Sequence, residues 1–517
     1  MPRPLRVAVV GAGPAGIYAA DALLKSDAAA DPGVSVDLFE RMPAPFGLIR
    51  YGVAPDHPRI KGIVTALHQV LDKPQVRLFG NVDYPADLTL DDLRAFYDAV
   101  VFATGAAADR ELPVPGIGLD GSYGAADFVS WYDGHPDVPR TWPLTAEKVA
   151  VLGVGNVALD VARILAKTAD ELLPTEIPPN VYDGLKANRA REIHVFGRRG
   201  PAQARFSPME LRELDHSPSI EVIVDPRDID YDKGSLAARR AGKQTDMVAK
   251  TLENWAIRDV GDRPHKLFLH FFESPVEILG AGGRVTGLRT ERTALDGTGN
   301  VRGTGVLRDW DVTAVYRAVG YLSEHLPKLP WDPDSGTVPN AGGRVLEESG
   351  RHLQSTYVTG WIRRGPVGLI GHTKGDANET VAGLLDDFAA GRLHTPAFPA
   401  PGAVDAFPRR ARGPLHHVGG LVPARRRRAG AGRAAGAQAG EDRRARGHAA
   451  GERRLTARPP GRGRTRAGVV RPPGRAQSRP AVTSPLTLPS VMAGPSPPAR
   501  VGGAAVARPL TVVPVTR

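Results

Sequence analysis

The apolar run Leu5–Val10 passes without a break into Gly11-Ala12-Gly13-Pro14-Ala15-Gly16, and no other feature so narrows what this chain can fold into. A short, uniformly apolar segment reads as a parallel strand buried on both faces. The glycines let the chain turn sharply, let a pyrophosphate approach the backbone and let the next helix, expected over 17–24, pack against the strand. The start of that helix offers unpaired N–H groups and the positive end of a dipole to phosphate. A second apolar strand over 34–39 ends at Glu40, 24 residues beyond Gly16. A carboxylate there accepts hydrogen bonds from an adenosine ribose. Strand, turn, helix, strand and acid in register mark a dinucleotide site more specifically than glycines alone. The bland alternative is a glycine turn without a ligand. Gly11, Gly13, Pro14, Ala15, Gly16, Glu40 and Arg41 are the expected contacts of this first site, which reads as an FAD site.

The pattern recurs. Residues 149–152 lead into Gly153-Val154-Gly155-Asn156-Val157-Ala158, and 159–165 continue as helix. Alanine in place of the third glycine still permits close packing of helix on strand. The following strand, 192–196, ends in Gly197-Arg198-Arg199-Gly200 instead of a carboxylate. Two guanidinium groups suit a 2′-phosphate through forked, charge-assisted bonds, which favours NADPH over NADH. The competing reading leaves both arginines in solvent.

Two later segments belong with the first site. Residues 99–105 read as a strand ending in a small-residue turn at Thr104 and Gly105, and 354–360 repeat that pattern. A constrained glycine-rich run, 361–371, follows, and then a helix is expected over 376–390, its first turn facing a ring edge. Residues 312–320 read as the return strand, with Arg317 and Tyr321 near the crossing. The order predicts an α/β fold with two Rossmann-like three-layer nucleotide-binding domains, the NADP domain inserted into the FAD domain. The boundaries are 1–106 and 321–408 for the FAD domain, 107–320 for the NADP domain, and 409–517 for a tail. Facing nucleotide domains bring nicotinamide against flavin, where hydride transfer needs contact and orientation and no protein nucleophile.

Composition then limits the chemistry. The chain has no cysteine, which excludes thiolate metal sites, cysteine-ligated clusters and redox-active cysteine pairs. Electrons must move through a bound cofactor. The net charge of +11 divides unevenly: from residue 411 onward there are 21 Arg, two Glu and one Asp, giving +18 and leaving the rest at −7. Neither a signal-peptide arrangement nor a membrane-length apolar run is present, so the cytoplasm is the default expectation.

Together the motifs resemble ferredoxin–NADP⁺ reductases of the adrenodoxin-reductase type, especially actinobacterial members, over residues 5 to about 405. The most distinctive stretches are 45–58, 197–200, 205–214 and 361–380. The resemblance implies one noncovalent FAD, NADPH as hydride source and a one-electron iron–sulfur protein, a ferredoxin or similar acidic carrier, as partner. A cytochrome P450 or another oxygenase would be served indirectly. It further implies that 361–368 lies over the flavin, with Trp361 and Gly368 near the reacting ring and Leu369 and Ile370 continuing the contact. Gly47 and Leu48 join the FAD site. Arg198 and Arg199 match the positions that hold the 2′-phosphate, and Asn156 and Val157 match contacts beneath the pyrophosphate. His57 matches a histidine near the nicotinamide that pairs with a carboxylate in Glu210-Leu211-Arg212-Glu213; the spacing favours Glu213, with Glu210 second. Arg205 stands where aromatic or small residues usually sit, so its role is open.

Read from the residues alone, His57 between Asp56 and Pro58 is more often a structural or exposed loop histidine than a catalytic one. Arg50 and Lys61 flank it and are candidates for a docking surface for an acidic ferredoxin. The tail lacks Phe, Tyr, Trp, Lys and Asn, cannot build a core and reads as disordered. A basic nucleic-acid arm is the functional alternative, and nucleic acid is not the expected partner. An out-of-frame origin fits better: codons for 415–423 can be chosen so that the next frame restores the Thr-Trp-Glu-Gly-Trp segment that the family carries there. That places a frameshift at about residues 405–413. Other enzyme readings are a glutamate-synthase-like small subunit, which would carry N-terminal cysteine clusters, and a flavin monooxygenase.

Overall fold

The computed structural model describes residues 3–368, 370–409 and 413–414. Alternation along its first strand, Leu5–Val10, decides where the cores lie. Val7 and Val9 face the helices Pro14–Leu24, Val64–Leu71 and Ile370–Ala389. Ala8 and Val10 face the helix Leu90–Phe96 together with Leu326, Leu329 and Val404. A strand buried on both faces has no polar side to turn outward, which is why its sequence is apolar throughout. Each such Val or Leu contributes roughly 1.5–3 kcal/mol by leaving water.

The first sheet has seven strands, in the order Asn340–Ala341, Arg344–Leu346, His352–Val358, Ala99–Phe102, Leu5–Val10, Val34–Glu40 and Val76–Gly80. The five from His352–Val358 onward are parallel. The second sheet has six parallel strands, in the order Ser122–Gly124, Ala314–Arg317, Lys148–Leu152, Glu192–Gly197, His265–Phe271 and Ile220–Val224. Val149, Val151, Ile193 and Val195 pack on helices Asn156–Ala166, Pro208–His216 and Lys243–Ile257. On the other face, Ala150, Leu152, Phe196 and Val315 meet Ile278, Val285 and Leu288 of an antiparallel three-stranded sheet, Glu273–Ala281, Arg284–Leu295 and Val301–Trp310. The third layer of this lobe is thus an antiparallel sheet.

The chain passes between the two sheets twice, and the crossings pair: Ala108–Asp109 lies antiparallel to Tyr321–Leu322. The return strand is shorter than expected, Ala314–Arg317. The late helix begins at Ile370, six residues before the expected start at Asp376. The glycine-rich run expected to precede the helix thus ends inside it, and Gly371 and Gly375 lie on a side where a Cβ would meet nothing within 4 Å. No helix among the described residues is long and apolar enough to cross a membrane. The expectations for the tail fall outside the described residues, except that Pro408–Arg409 pairs with Gly413–Pro414.

Candidate functional site

At the first phosphate loop two of the three glycines are demanded by backbone contact. Gly11 has φ +106°, and a Cβ there would lie 2.5 Å from the Ala103 carbonyl oxygen; one on Gly16 would lie 2.0 Å from the Gly11 carbonyl oxygen. Gly13 is different, its nearest neighbour being the Gly47 Cα at 3.9 Å. Pro14 occupies the first helical turn, where its missing N–H costs nothing, and Ala15 is buried beside it. Glu40 is buried and accepts hydrogen bonds from the N–H groups of Ala12, 2.8 Å, and Met42, 3.0 Å. Burial pushes its carboxyl group up, and those two backbone donors oppose the rise. Arg41 turns away: it is exposed and faces Asp137 at 3.6 Å. Phe46 (φ +89°) donates its N–H to the Ala12 carbonyl, which seats Gly47 and the half-buried Leu48 against the loop.

The end of the first sheet supplies the rest. Thr104 is exposed at the tip of its strand, and Gly105 (φ +76°) faces open space. Gly360 brings the later segment back, because a Cβ on it would lie 2.6 Å from that of Ala15. Trp361 then stands half-buried, its ring 6.4 Å from Tyr321 and nearly parallel. Gly368 (φ +90°) is exposed, Ile370 opens the helix, and Leu369 lies outside the described residues. Arg364 binds Asp376, and Arg363 reaches Glu379 at 2.7 Å, tying this segment to the helix that follows.

The second loop has the same plan with different closure. Gly153 (φ +135°) is forced by the Ala318 carbonyl oxygen, which a Cβ would approach to 2.2 Å, whereas Gly155 faces nothing within 4 Å. Asn156 begins its helix and accepts the Ser207 N–H at 2.8 Å, Val157 is half-buried, and Ala158 is fully buried in the core. Arg198 is exposed and Arg199 half-buried. Neither side chain has a carboxylate partner among the described residues. Burial, and then the charges of Arg198 and Arg205, hold the Arg199 guanidinium below its ordinary value.

Between the loops sits a buried cluster of charge around His57. His57 is only 4 % exposed. Its Nε2 lies 2.9 Å from Asp160 and 3.2 Å from Glu210, and its Nδ1 2.9 Å from Glu213. Of the two readings from the residues alone, structural or exposed, burial excludes the exposed one, and both candidate carboxylates reach the ring, one on each nitrogen. Sequence spacing brings them together twice over. Asp160 and Arg163 share one face of the helix that starts at Asn156, and Glu210 and Glu213 share one face of Pro208–His216. Ser207 caps the latter by accepting the Glu210 N–H.

Arg163, fully buried, binds Asp160 at 2.7 Å, Glu210 at 3.0 Å and Asp56 through two bonds of 2.8 and 2.9 Å. Lys167 adds a second cation to Asp56 at 2.9 Å. Burial alone would raise the Asp56 carboxyl group, but Arg163 and Lys167 hold it well below the usual carboxylate range. For His57, burial favours the neutral ring, as does the Arg163 guanidinium 2.8 Å from Nε2, yet Asp160, Glu210 and Glu213 around the ring push it up to about 11. Charge balance agrees, since four carboxylates face only Arg163 and Lys167 unless His57 is protonated. The ligand atoms of His57, Glu210 and Glu213 lie within 4.8 Å of one another, and Arg163 already pairs with Glu210.

Asp56, Asp160, Arg163 and Lys167 went unnoticed in the sequence. The available signal was a charged pair inside the otherwise apolar run 157–166. The docking role suggested for Lys61 is also corrected: it is 8 % exposed and paired with Asp133 at 3.1 Å and Glu176 at 3.3 Å. Arg50 is half-buried, bound to the Pro45 carbonyl and stacked over Phe46.

A profile of the pyridine nucleotide-disulphide oxidoreductase family matches residues 5–194. NADPH-ferredoxin reductase FprA of Mycobacterium tuberculosis is 40% identical over 391 residues, 74% of this chain and 84% of that protein. The mitochondrial NADPH:adrenodoxin oxidoreductase of Bos taurus is 37% identical over 413 residues, 77% of this chain and 81% of the relative. The solved structure of the mycobacterial FprA in complex with NADPH superposes with a TM-score of 0.70 at 38% identity, covering 76% of this chain and 87% of the other.

Proposed function

Because this chain belongs to the ferredoxin–NADP⁺ reductases of the adrenodoxin-reductase type, we propose that it moves electrons from NADPH, through a noncovalently held FAD, to a ferredoxin-type iron–sulfur protein. The observation that carries the reading is the pair of phosphate loops, one closed by Glu40 and one open beside Arg198 and Arg199, joined through the buried His57 cluster. Flavin, when bound, supplies the chemistry a cysteine-free chain lacks: it takes an electron pair as hydride and releases electrons singly.

The protein's own work is binding and placement. Gly11, Gly13, Pro14, Ala15 and Gly16 leave room for the FAD pyrophosphate, and Glu40 serves the ribose end of that site. Gly47, Leu48, Thr104, Gly105, Trp361, Gly368 and Ile370 line the flavin side; Leu369 is assigned there on sequence alone. Gly153, Gly155, Asn156 and Val157 receive the second pyrophosphate on a helix N-terminus, and Arg198 and Arg199 hold the 2′-phosphate. Arg41, turned to Asp137, is withdrawn from the first set. The paired crossings at 108–109 and 321–322 are taken as the limits of the inserted NADP domain.

His57, Glu210 and Glu213 act on placement. A histidine kept protonated cannot serve as a base near neutral pH. What it does is set Nδ1 2.9 Å from a Glu213 carboxylate oxygen and place a positive charge between the lobes. The helix bearing Asn156 also bears Asp160 and Arg163, so one helix links the second phosphate loop to His57. Positioning of this kind supports hydride transfer without a covalent step.

The test is the absorbance of the purified full-length protein. Flavin bands bleached by NADPH under anaerobic conditions and restored by oxidised ferredoxin are the expected result. A colourless protein that takes up no FAD, or flavin that NADPH leaves oxidised, would overturn the proposal.

A further inference from the structure

We propose that Arg205 is a third cationic contact for the nucleotide's 2′-phosphate, beside Arg198 and Arg199. This rests on the NADPH reading of the second loop and extends it to a residue outside the two-arginine motif.

The geometry turns on Val154, between the two loop glycines. On one side a Cβ on Gly197 would lie 2.5 Å from Val154 Cγ1. The end of strand Glu192–Gly197, and with it the turn carrying Arg198 and Arg199, is therefore pressed on the loop. On the other side Arg205 donates its backbone N–H to the Val154 carbonyl at 2.8 Å and pairs with Gly155 as an isolated parallel bridge. Two residues further on, the Ser207 N–H is held by Asn156 at 2.8 Å, and Ser207 caps the helix Pro208–His216. The backbone beneath Arg205 is thus fixed to the loop at consecutive points, which gives its side chain a rigid base.

The side chain is exposed and, among the described residues, has no carboxylate partner, as is true of Arg198 and Arg199. Three unpaired guanidinium groups around one loop repel one another, and the charge of Arg205 is felt at Arg199. A phosphate monoester, carrying roughly −1.5 to −2 charge at neutral pH, relieves that repulsion. The pyrophosphate has its own donors, the N–H groups at the start of helix Asn156–Ala166 beside the open Gly155. The 2′-phosphate is the anion left for Arg205.

The experiment uses adenosine 2′,5′-bisphosphate and 5′-AMP, which differ only by the 2′-phosphate. Binding to the full-length, flavin-loaded protein is followed by calorimetry at several salt concentrations for the wild type, Arg205→Ala and Arg205→Lys. For Arg205→Ala the bisphosphate Kd should rise about tenfold, equivalent to about 1.4 kcal/mol, with a shallower salt dependence. Its 5′-AMP affinity, flavin content and thermal midpoint should match the wild type. Arg205→Lys should recover part of the loss, as a point charge without the fork does. An unchanged bisphosphate Kd, or equal weakening of both ligands, would overturn the inference while leaving the parent reading intact. A wild-type protein that fails to prefer the bisphosphate overturns both.

Discussion

At the first phosphate loop the strand end carries Glu40, a buried carboxylate occupied by the N–H groups of Ala12 and Met42. At the second, the matching strand end carries Arg198 and Arg199, which meet no acid among the described residues. The first loop is also covered, by Gly47 lying on Gly13 and by Gly360 lying on Ala15, while a Cβ on Gly155 of the other loop would meet nothing within 4 Å. Two copies of one glycine pattern thus serve two kinds of residence. A covered, internally bonded loop suits a cofactor retained through many turnovers. An open, positively charged loop suits one that arrives and leaves, where charge speeds encounter and marks the phosphate.

The largest effect that would break this comparison is expected from Gly11→Ala. Its Cβ would collide with the Ala103 carbonyl at a φ that alanine rarely adopts, and neither backbone can yield without moving a central strand. Strain and overpacking of this kind cost roughly 1–3 kcal/mol each. The protein should purify without flavin and melt at a lower temperature; a full complement of FAD would refute the covered-loop argument. Next in size is Arg198→Ala combined with Arg199→Ala. Losing two charge-assisted contacts at about 1.5–3 kcal/mol each should weaken NADPH about a hundredfold or more, leave NADH nearly untouched and keep flavin in place. Equal loss for both nucleotides would count against the 2′-phosphate assignment.

A smaller change sharpens the contrast with Gly11. Gly155→Ala meets no protein atom and has an ordinary extended φ of −113°, so fold and flavin content should match the wild type. The added methyl group would stand where the nucleotide backbone must approach. An affinity loss of about tenfold for NADP⁺, measured by calorimetry, is expected, whereas a loss of flavin would erase the distinction between the loops.

The loops were legible in the sequence because their signal is local: an apolar strand, glycines and a helix within some twenty residues. Arg198 and Arg199 were legible for the same reason. The pairing of His57 with Glu213 or Glu210 came only from the family resemblance, and Asp160 was missed, because these carboxylates arrive on two other helices. No short pattern around Asp56-His57-Pro58 encodes that meeting. A charged pair at Asp160 and Arg163 inside an apolar helix was the available hint, since such groups are buried only when paired. The start of the last helix at Ile370 was hidden by Gly371 and Gly375, whose low helix propensity reads as loop. There the two glycines leave the first turns of the helix open on one side.

The smallest expected effect belongs to the group that joins the two loops. His57 is pushed up to about 11 despite its burial, because Asp160, Glu210 and Glu213 surround the ring. It should therefore not titrate between pH 6 and 9, and flavin reduction by NADPH in stopped flow should show no inflection near 6.5 that His57→Gln abolishes. The substitution itself should lower the rate only about threefold through poorer placement, worth about 0.65 kcal/mol, with flavin still bound. Stability gives an independent reading with a definite sign. A histidine pKa raised on folding contributes stability that is whole below the unfolded value near 6.5 and drains as pH rises toward 11. The melting-temperature gap between wild type and His57→Gln should stay level from pH 5 to 6.5 and then narrow steadily through pH 9. Asp56, held low by Arg163 and Lys167, leaves that window undisturbed because its own contribution is lost only in stronger acid. A gap that widens with rising pH would mean that the ring is neutral in the folded protein. His57 would then contribute hydrogen bonds alone to a junction whose ion pairs are those of Asp56 with Arg163 and Lys167.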